Sequence, residues 1–188
     1  MSDQLSLCFG PTPAPAENDL LYFAVLPELS AAQRILDAGL RLKREYSLSG
    51  RLYPPERLHI SLVSLAVPSH MFRRAISAAG NIGSRVRAPP FELTLDRTSS
   101  FRTRNSRALV LRCREGAGML GEIHGQLADL LHQRRPFEPH MTLLYDYRVV
   151  PEVRLEEPIT WTVREFTLVH SLYGQSRQRH LNRWPLAV

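Results

Sequence analysis

The chain has 188 residues, of which 44% are hydrophobic, 8% aromatic and 22% charged, and its formal net charge is +6. These values are typical of one globular domain and exclude a disordered chain, a collagen and a coiled coil. The longest apolar runs, residues 20–26 and 62–67, are far shorter than the roughly 20 residues that span a bilayer. The N-terminus has neither the basic region nor the apolar segment of a signal peptide, so we expect a cytoplasmic protein without membrane contact.

All but one of the 24 basic residues are arginine, the exception being Lys43. The planar guanidinium matches a phosphate bidentately, so this bias suits a ligand that carries phosphate. Codon usage in a GC-rich genome explains the same bias, and the modest net charge permits a phosphate-rich partner without requiring one. The two cysteines, Cys8 and Cys113, lack a Cys or His at metal-ligand spacing, which excludes a disulfide framework and a zinc ribbon.

In chain order, the first predicted feature is a flexible Pro-rich tail over residues 1–18. Apolar runs and alternation then predict strands over residues 20–26, 58–67, 91–95, 108–113, 137–145, 159–172 and 179–186. Helical spacing predicts helices over residues 31–46, 69–87 and 116–132. The polar, Arg-rich stretch at residues 96–107 is predicted to be a loop. Strands and helices interleave throughout, which indicates an α+β or α/β protein.

One short motif occurs twice, about half a chain apart. The first copy is His59-Ile60-Ser61-Leu62 and the second is His140-Met141-Thr142-Leu143. Because side chains at i and i+2 share one face of a strand, each copy presents an imidazole beside a hydroxyl and places apolar residues on the opposite face. If the two halves of the chain pack about a pseudo-twofold axis, the two polar faces meet in one cleft.

Such a cleft suits the hydrolysis of a phosphodiester. A neutral histidine can take a proton from water and a protonated one can give a proton to the leaving oxygen, and the unperturbed pKa of about 6.5 lets both forms exist near neutral pH. The hydroxyls can donate hydrogen bonds to the non-bridging phosphate oxygens. A cyclic phosphate is a natural substrate because its leaving oxygen stays tethered, and this chemistry requires no metal.

Two alternative interpretations, chance occurrence of the motif and metal binding, compete with phosphodiester hydrolysis. A single His-x-Ser/Thr sequence occurs by chance in many chains, although two copies in apolar strands are harder to dismiss. Two histidines could also bind zinc, but no carboxylate or third histidine lies at motif spacing.

The paired motifs resemble those of the 2H phosphoesterase superfamily, and the chain resembles the bacterial RNA 2′,3′-cyclic phosphodiesterase or 2′-5′ RNA ligase family. The resemblance covers most of the chain, from about residue 20 to residue 186. Beside the two motifs, it is carried by residues 22–28, 54–59, 135–140 and 183–186, which agree with the family in order.

The resemblance implies an α+β, bilobal 2H phosphoesterase fold over residues 19–188, with two pseudo-twofold-related antiparallel sheets and flanking helices around a central groove. It implies hydrolysis of a 2′,3′-cyclic phosphate on an RNA end or a nucleotide to a 2′-phosphomonoester, with no cofactor and no metal. His59 would be the general acid and His140 the general base, or the reverse, while Ser61 and Thr142 would bind the phosphate. We expect a monomer with no obligate protein partner.

The sequence departs from the family pattern at two positions. Ser61 stands where Thr is commoner, which keeps the hydroxyl, and Tyr145 stands where relatives often carry Arg. The Arg-rich stretch could supply the missing cation as a phosphate-binding rim, or its charges could be solvated surface groups. The arginines concerned are Arg102, Arg104 and Arg107.

Three tyrosines are further candidates for substrate contact, Tyr22, Tyr145 and Tyr173, since aromatic rings bind bases by stacking. Two alternative functions stay open. The same chemistry could serve another small cyclic phosphate, such as ADP-ribose 1″,2″-cyclic phosphate, or the groove could bind RNA without turnover. The intact His/hydroxyl pairs argue against the second alternative, because binding alone does not need two proton-transfer groups.

Overall fold

The computed structural model describes residues 18–172 and 177–187. The predicted tail lies outside these residues except for its last residue, which begins the first strand, and Tyr173 also lies outside them. The strands of the described residues are β1 Asn18–Val25, β2 Ile60–Pro68, β3 Phe91–Arg102, β4 Arg107–Cys113, β5 His140–Asp146, β6 Arg154–Val163, β7 Glu165–Leu172 and β8 Arg177–Pro185. The α-helices are α1 Leu29–Glu45, α2 Phe72–Gly83 and α3 Ala117–Leu130. None of these helices is long and apolar enough to cross a membrane.

The strands form one antiparallel sheet in the order β6-β3-β4-β5-β2-β1-β7-β8. Its two four-stranded halves join where β2 lies beside β5, and a single residue pair, Ile60 with Met141, connects them. The α+β class is therefore confirmed. The predicted pair of separate sheets is not confirmed, because the residues that follow the two motif histidines pair with each other and make the halves continuous.

The main hydrophobic core lies between the helices and one face of this sheet. Helix α1 turns its small and aliphatic residues inward at helical spacing, α1 packs on β6, and α3 packs on β2. A fully buried side chain such as Ile35 contributes about 1.5–3 kcal/mol. The opposite face of the sheet carries a separate small cluster, formed by Tyr22, Ala24 and Val169.

The loop predicted over residues 96–107 is wrong for most of its length. Strand β3 continues to Arg102 and pairs with β4 along a hairpin, so only residues 103–106 form the turn. The polar residues of this stretch find partners within the fold: the buried Thr98 hydroxyl donates to the carbonyl of Pro151 at 2.8 Å. Because the stretch is a strand, alternation decides which of its side chains can reach a site.

The C-terminal strand closes the core against α2. The ring of Trp184 stacks on Phe166 at 5.1 Å between centroids and lies 5.7 Å from Phe23. A Cβ at Gly83 would lie 2.5 Å from the Trp184 ring, so only glycine fits there. Helix α2 consequently ends at Gly83, earlier than the predicted residue 87.

Candidate active site

The two motifs meet at the centre of the sheet. His59 directly precedes β2, His140 opens β5, and the two strands run side by side in opposite directions. The side chains of His59, Ser61, His140 and Thr142 are half-buried, whereas the apolar residues between them are buried in the core: Ile60, Leu62, Met141 and Leu143. The predicted alternation is therefore present, and both imidazole–hydroxyl pairs lie on the face of the sheet opposite to the helices.

A β-bulge follows the hydroxyl residue in each motif. In β2, Ser61 pairs with Ala24 and Val63 with Phe23, so Leu62 has no partner in the register. In β5, Thr142 pairs with Val110 and Leu144 with Leu109, so Leu143 has none. Each bulge sends two consecutive leucine or valine side chains into the core and shifts the alternation by one residue. As a result, Tyr145 lies on the same face as Thr142.

Both imidazole rings are held by a backbone carbonyl. Nδ1 of His59 donates to the carbonyl oxygen of Arg57 at 2.8 Å, and Nδ1 of His140 donates to the carbonyl oxygen of Glu138, also at 2.8 Å. Because a carbonyl can only accept, the proton of each neutral imidazole is on Nδ1. Nε2 of each ring is then the atom that can take up or release a proton.

An aromatic ring from another strand of the sheet also packs on each histidine. The Tyr22 ring centroid lies 4.9 Å from that of His59, and the Phe101 centroid lies 4.8 Å from that of His140. Only 3% of Tyr22 is exposed, and its hydroxyl is buried without a hydrogen-bond partner among the described residues. The Tyr22 ring therefore restricts the His59 imidazole from a second side.

Burial favours the neutral form of both histidines. It lowers the pKa of His59 to about 4, a shift opposed by the hydrogen bond to the Arg57 carbonyl and reinforced by the charges of His140, Arg57 and His180. Burial also lowers the pKa of His140; the carbonyl and the carboxylate of Glu138 oppose that shift, and the smaller effect of the Arg112 charge reinforces it. The two rings therefore differ in their electrostatic surroundings, since both have a cation nearby but a carboxylate acts only on His140.

The arginines predicted as a phosphate-binding rim lie elsewhere. Arg102 pairs with Arg107, and Arg107 pairs with the buried Asp146. Tyr145, the residue before Asp146 in β5, lies on the other face of the sheet. The register therefore places Arg102 and Arg107 on the face opposite to Thr142. Arg104 is exposed in the β3–β4 turn. The structure brings none of the three together with the histidines.

A residue that the sequence analysis missed is Arg57. Its guanidinium carbon lies 4.2 Å from the centre of the Tyr53 ring, and the Tyr53 ring meets the Tyr145 ring edge-on at 6.2 Å. Arg57 thus connects the first motif with the residue that follows the second. Strand alternation could not have identified it, because Arg57 ends a 3₁₀ turn that precedes β2.

A cavity of about 610 Å³ is lined by residues of α1, β6, β7 and β8 and of the turn that precedes the first motif, and the four motif residues are not part of its lining. Its walls include Pro55 and Glu56, which directly precede Arg57 in the chain, and His180 and Arg183 from β8. His180 pairs with Val169, which in turn pairs with Tyr22, so it belongs to the face that carries the histidines. We refer to this cavity as the lateral cavity.

The chain was compared with known proteins. A sequence profile of the 2′-5′ RNA ligase superfamily matches residues 27–175. The RNA 2′,3′-cyclic phosphodiesterase of Escherichia coli (strain K12) is 32% identical over 182 residues, which cover 91% of this chain and 98% of that protein.

Solved structures give the same result for the fold. E. coli LigT in its apo form is 28% identical, with a TM-score of 0.71 over 92% of this chain and all of that chain. LigT complexed with ATP is 29% identical, with a TM-score of 0.72 over the same shares of both chains. TT0787 of Thermus thermophilus, at 20% identity, shares the fold with a TM-score of 0.67 over 89% of this chain and 97% of that one. The predicted family and enzyme class are confirmed: this chain is an enzyme of the 2′-5′ RNA ligase superfamily.

Proposed function

We propose that the protein hydrolyses a 2′,3′-cyclic phosphate, on an RNA end or a nucleotide, to a 2′-phosphomonoester. The observation that carries the proposal is the pairing of two equivalent imidazoles, each with Nδ1 on a carbonyl and a hydroxyl two residues away, at the junction of β2 and β5. The name of the E. coli relative, an RNA 2′,3′-cyclic phosphodiesterase, supports this choice of substrate.

In the proposed reaction, one histidine Nε2 takes a proton from water as the water oxygen forms a bond to phosphorus. The bond between phosphorus and the 3′-oxygen breaks, and the other histidine Nε2 gives that oxygen a proton. The product carries a 2′-phosphate and a 3′-hydroxyl. The hydroxyls of Ser61 and Thr142 donate to the non-bridging oxygens, where negative charge accumulates. The proton transfers and hydrogen bonds account for the reaction without a metal ion.

The charges around the rings favour one of the two role assignments left open by the sequence. The cations near His59 disfavour a second positive charge, so His59 is suited to be the neutral base. The carboxylate of Glu138 supports a positive charge on His140, which is suited to be the acid. We therefore reverse the first expectation and propose His59 as general base and His140 as general acid.

This assignment can be tested with a phosphodiester that has p-nitrophenolate as its leaving group. Such a leaving group needs no proton, so replacing the general acid costs little. We expect His140→Ala to lose much less activity on this substrate than on 2′,3′-cyclic AMP, and His59→Ala to lose a similar factor on both. The opposite pattern would restore the first assignment.

The two sheet halves, whose strands pair at Ile60 and Met141, are proposed to act as the two lobes of one domain with the motifs on the floor of the groove between them. The lateral cavity is large enough for a nucleoside, and its wall includes the turn that precedes the first motif. We propose that it receives the nucleoside adjacent in the RNA to the one that carries the cyclic phosphate. An RNA end longer than one nucleotide should then bind better than a cyclic mononucleotide, with an affinity that falls as salt rises.

The decisive assay measures hydrolysis of 2′,3′-cyclic AMP and of a short RNA with a 2′,3′-cyclic phosphate, in the presence of EDTA. His59→Ala and His140→Ala should each lose about 10²–10⁴-fold in kcat. His70→Ala, at an exposed histidine outside the site, is the matched control and should keep the wild-type rate. Binding of the RNA without turnover by the wild type would favour the binding module, and turnover of neither substrate would favour another cyclic phosphate.

A further inference from the structure

Arg57 is held in place by residues from both ends of the site. Pro55 and the residues after it form a single 3₁₀ turn, closed by the Arg57 amide donating to the Pro54 carbonyl at 2.9 Å. The guanidinium lies on the Tyr53 ring, and that ring contacts Tyr145 of β5. A flexible side chain is thereby fixed before any ligand arrives, which lowers the entropy lost on binding.

The positive charge of Arg57 is not neutralised within the part of the chain that the structure describes. No carboxylate of the described residues forms an ion pair with Arg57, and its Nε is buried without a hydrogen-bond acceptor. Other arginines near the histidines differ. Arg112 is paired with Glu138 at 2.7 Å and with Glu152 at 3.1 Å, and Arg97 is paired with Asp96 at 2.9 Å. Arg57 is thus a half-buried cation that lacks an anion among the described residues.

The charge of Arg57 affects the pKa of residues next to both motifs. Burial is the main reason for the low pKa of His59, and the charge of Arg57 lowers it further. Burial raises the pKa of both Tyr22 and Tyr145, and the charge of Arg57 opposes each of these shifts. The ring contacts agree with these effects, because Arg57 lies on Tyr53 and Tyr53 contacts Tyr145 on the face that carries Thr142.

We infer that Arg57 is the phosphate-binding cation of this enzyme, an inference that rests on the proposed function. The terminal N–H groups of its guanidinium would donate to a non-bridging oxygen of the cyclic phosphate, which supplies the anion that Arg57 lacks among the described residues. Tyr53 and Tyr145 hold the guanidinium in position. Tyr145 then helps to position Arg57, and Arg57 takes the place of the arginine that relatives often carry at position 145.

The test combines kinetics on 2′,3′-cyclic AMP with calorimetric binding of inorganic phosphate. Arg57→Gln should lower kcat/KM by about 10²–10³-fold, as removal of one preorganised donor does, and should weaken phosphate binding by about tenfold or more. The kcat/KM and phosphate affinity of Arg57→Lys should lie between those of the wild type and Arg57→Gln, because lysine keeps the charge and lacks the planar guanidinium. Arg85→Gln, at an exposed arginine after α2, is the control and should match the wild type in both measurements.

A second-site variant separates charge from structure. In Arg57→Gln/Tyr145→Arg, a guanidinium enters the same gap from β5, so we expect at least about tenfold recovery of phosphate affinity over Arg57→Gln. Arg57→Gln that binds phosphate as the wild type does would overturn the inference, even with reduced turnover, since the guanidinium would then affect the rate without binding the phosphate and the carbonyl that holds His59 is unchanged in this variant. If the wild type itself fails to hydrolyse cyclic AMP, the proposed function fails, and the phosphate measurements still decide the role of Arg57.

Discussion

Asp146 is the residue whose replacement gives the sharpest test of how the site is supported. Its carboxylate is buried at the end of β5 and accepts five hydrogen bonds. Oδ2 accepts from the amides of Ser49 and Gly50, both at 2.7 Å, and from the Ser49 hydroxyl at 3.1 Å. Oδ1 accepts from the amides of Tyr147 and Arg148 at 2.7 and 3.0 Å. These bonds attach the turn after α1 to the strand that carries the second motif.

Asp146→Asn replaces one of the two oxygens by an amide group that can only donate. In either orientation of the new side chain, two backbone N–H groups lose their acceptor and face a donor. A buried donor left unsatisfied costs about 1–3 kcal/mol, so we expect a loss of about 2–6 kcal/mol in the free energy of unfolding. That is a large share of the roughly 5–15 kcal/mol that stabilises an ordinary domain.

Urea unfolding followed by circular dichroism at pH 7 measures this loss. The control is Asp129→Asn, at a carboxylate 52% exposed and paired with Arg134, which should change stability by less than about 1 kcal/mol. The hydrogen bonds, first that from the Arg148 amide, hold the pKa of Asp146 below its ordinary value. Its contribution is therefore complete above the unfolded-state pKa, about 3.9, and is lost as the pH falls below it, a dependence that the variant should lack. An Asn variant within about 1 kcal/mol of the wild type at pH 7 would refute the reasoning.

Three further predictions concern the site and the core. Burial lowers the pKa of His59 and of His140, so the form with one protonated ring is populated mainly below about pH 6.5. We therefore expect kcat/KM on cyclic AMP to fall between about pH 6.5 and 8. A maximum of kcat/KM above about pH 7.5 would contradict this expectation. Tyr22→Phe removes a buried hydroxyl without a partner among the described residues and keeps the ring on His59, so it should leave kcat within about threefold and not lower the melting temperature. Tyr22→Ala removes the ring as well and should lower both kcat and the melting temperature. Gly83→Ala places a methyl group against the Trp184 ring and should cost about 1–3 kcal/mol in urea unfolding, while Gly80→Ala, where a Cβ meets nothing, should not destabilise.

The sequence was sufficient for those features that depend on local periodicity. Alternation over three residues places His59 with Ser61 and His140 with Thr142, and the same alternation holds in the structure because Ile60 and Met141 are buried. The repeat of the motif also indicated that two similar halves meet.

Features that depend on long-range register could not be predicted in this way. The face on which Arg102 and Arg107 lie follows from the length of β3 and from its pairing with β4, and a polar stretch gives no apolar period to reveal a strand. The bulges at Leu62 and Leu143 shift the alternation, so parity counted along the sequence places Tyr145 on the wrong face. The contact of the Tyr53 ring with Tyr145, which brings Arg57 to the second half of the chain, joins residues that are distant in sequence.

The matched anchoring of the two histidines has a consequence for repeated turnover. In the proposed reaction, the ring that starts neutral ends charged and the ring that starts charged ends neutral, so each hydrolysis leaves the pair in the state that the reverse reaction requires. Both rings are anchored by uncharged carbonyls, which hold either protonation state in the same orientation. A second hydrolysis must therefore wait until one ring loses a proton to the solvent and the other gains one, so proton exchange is a required step of every turnover.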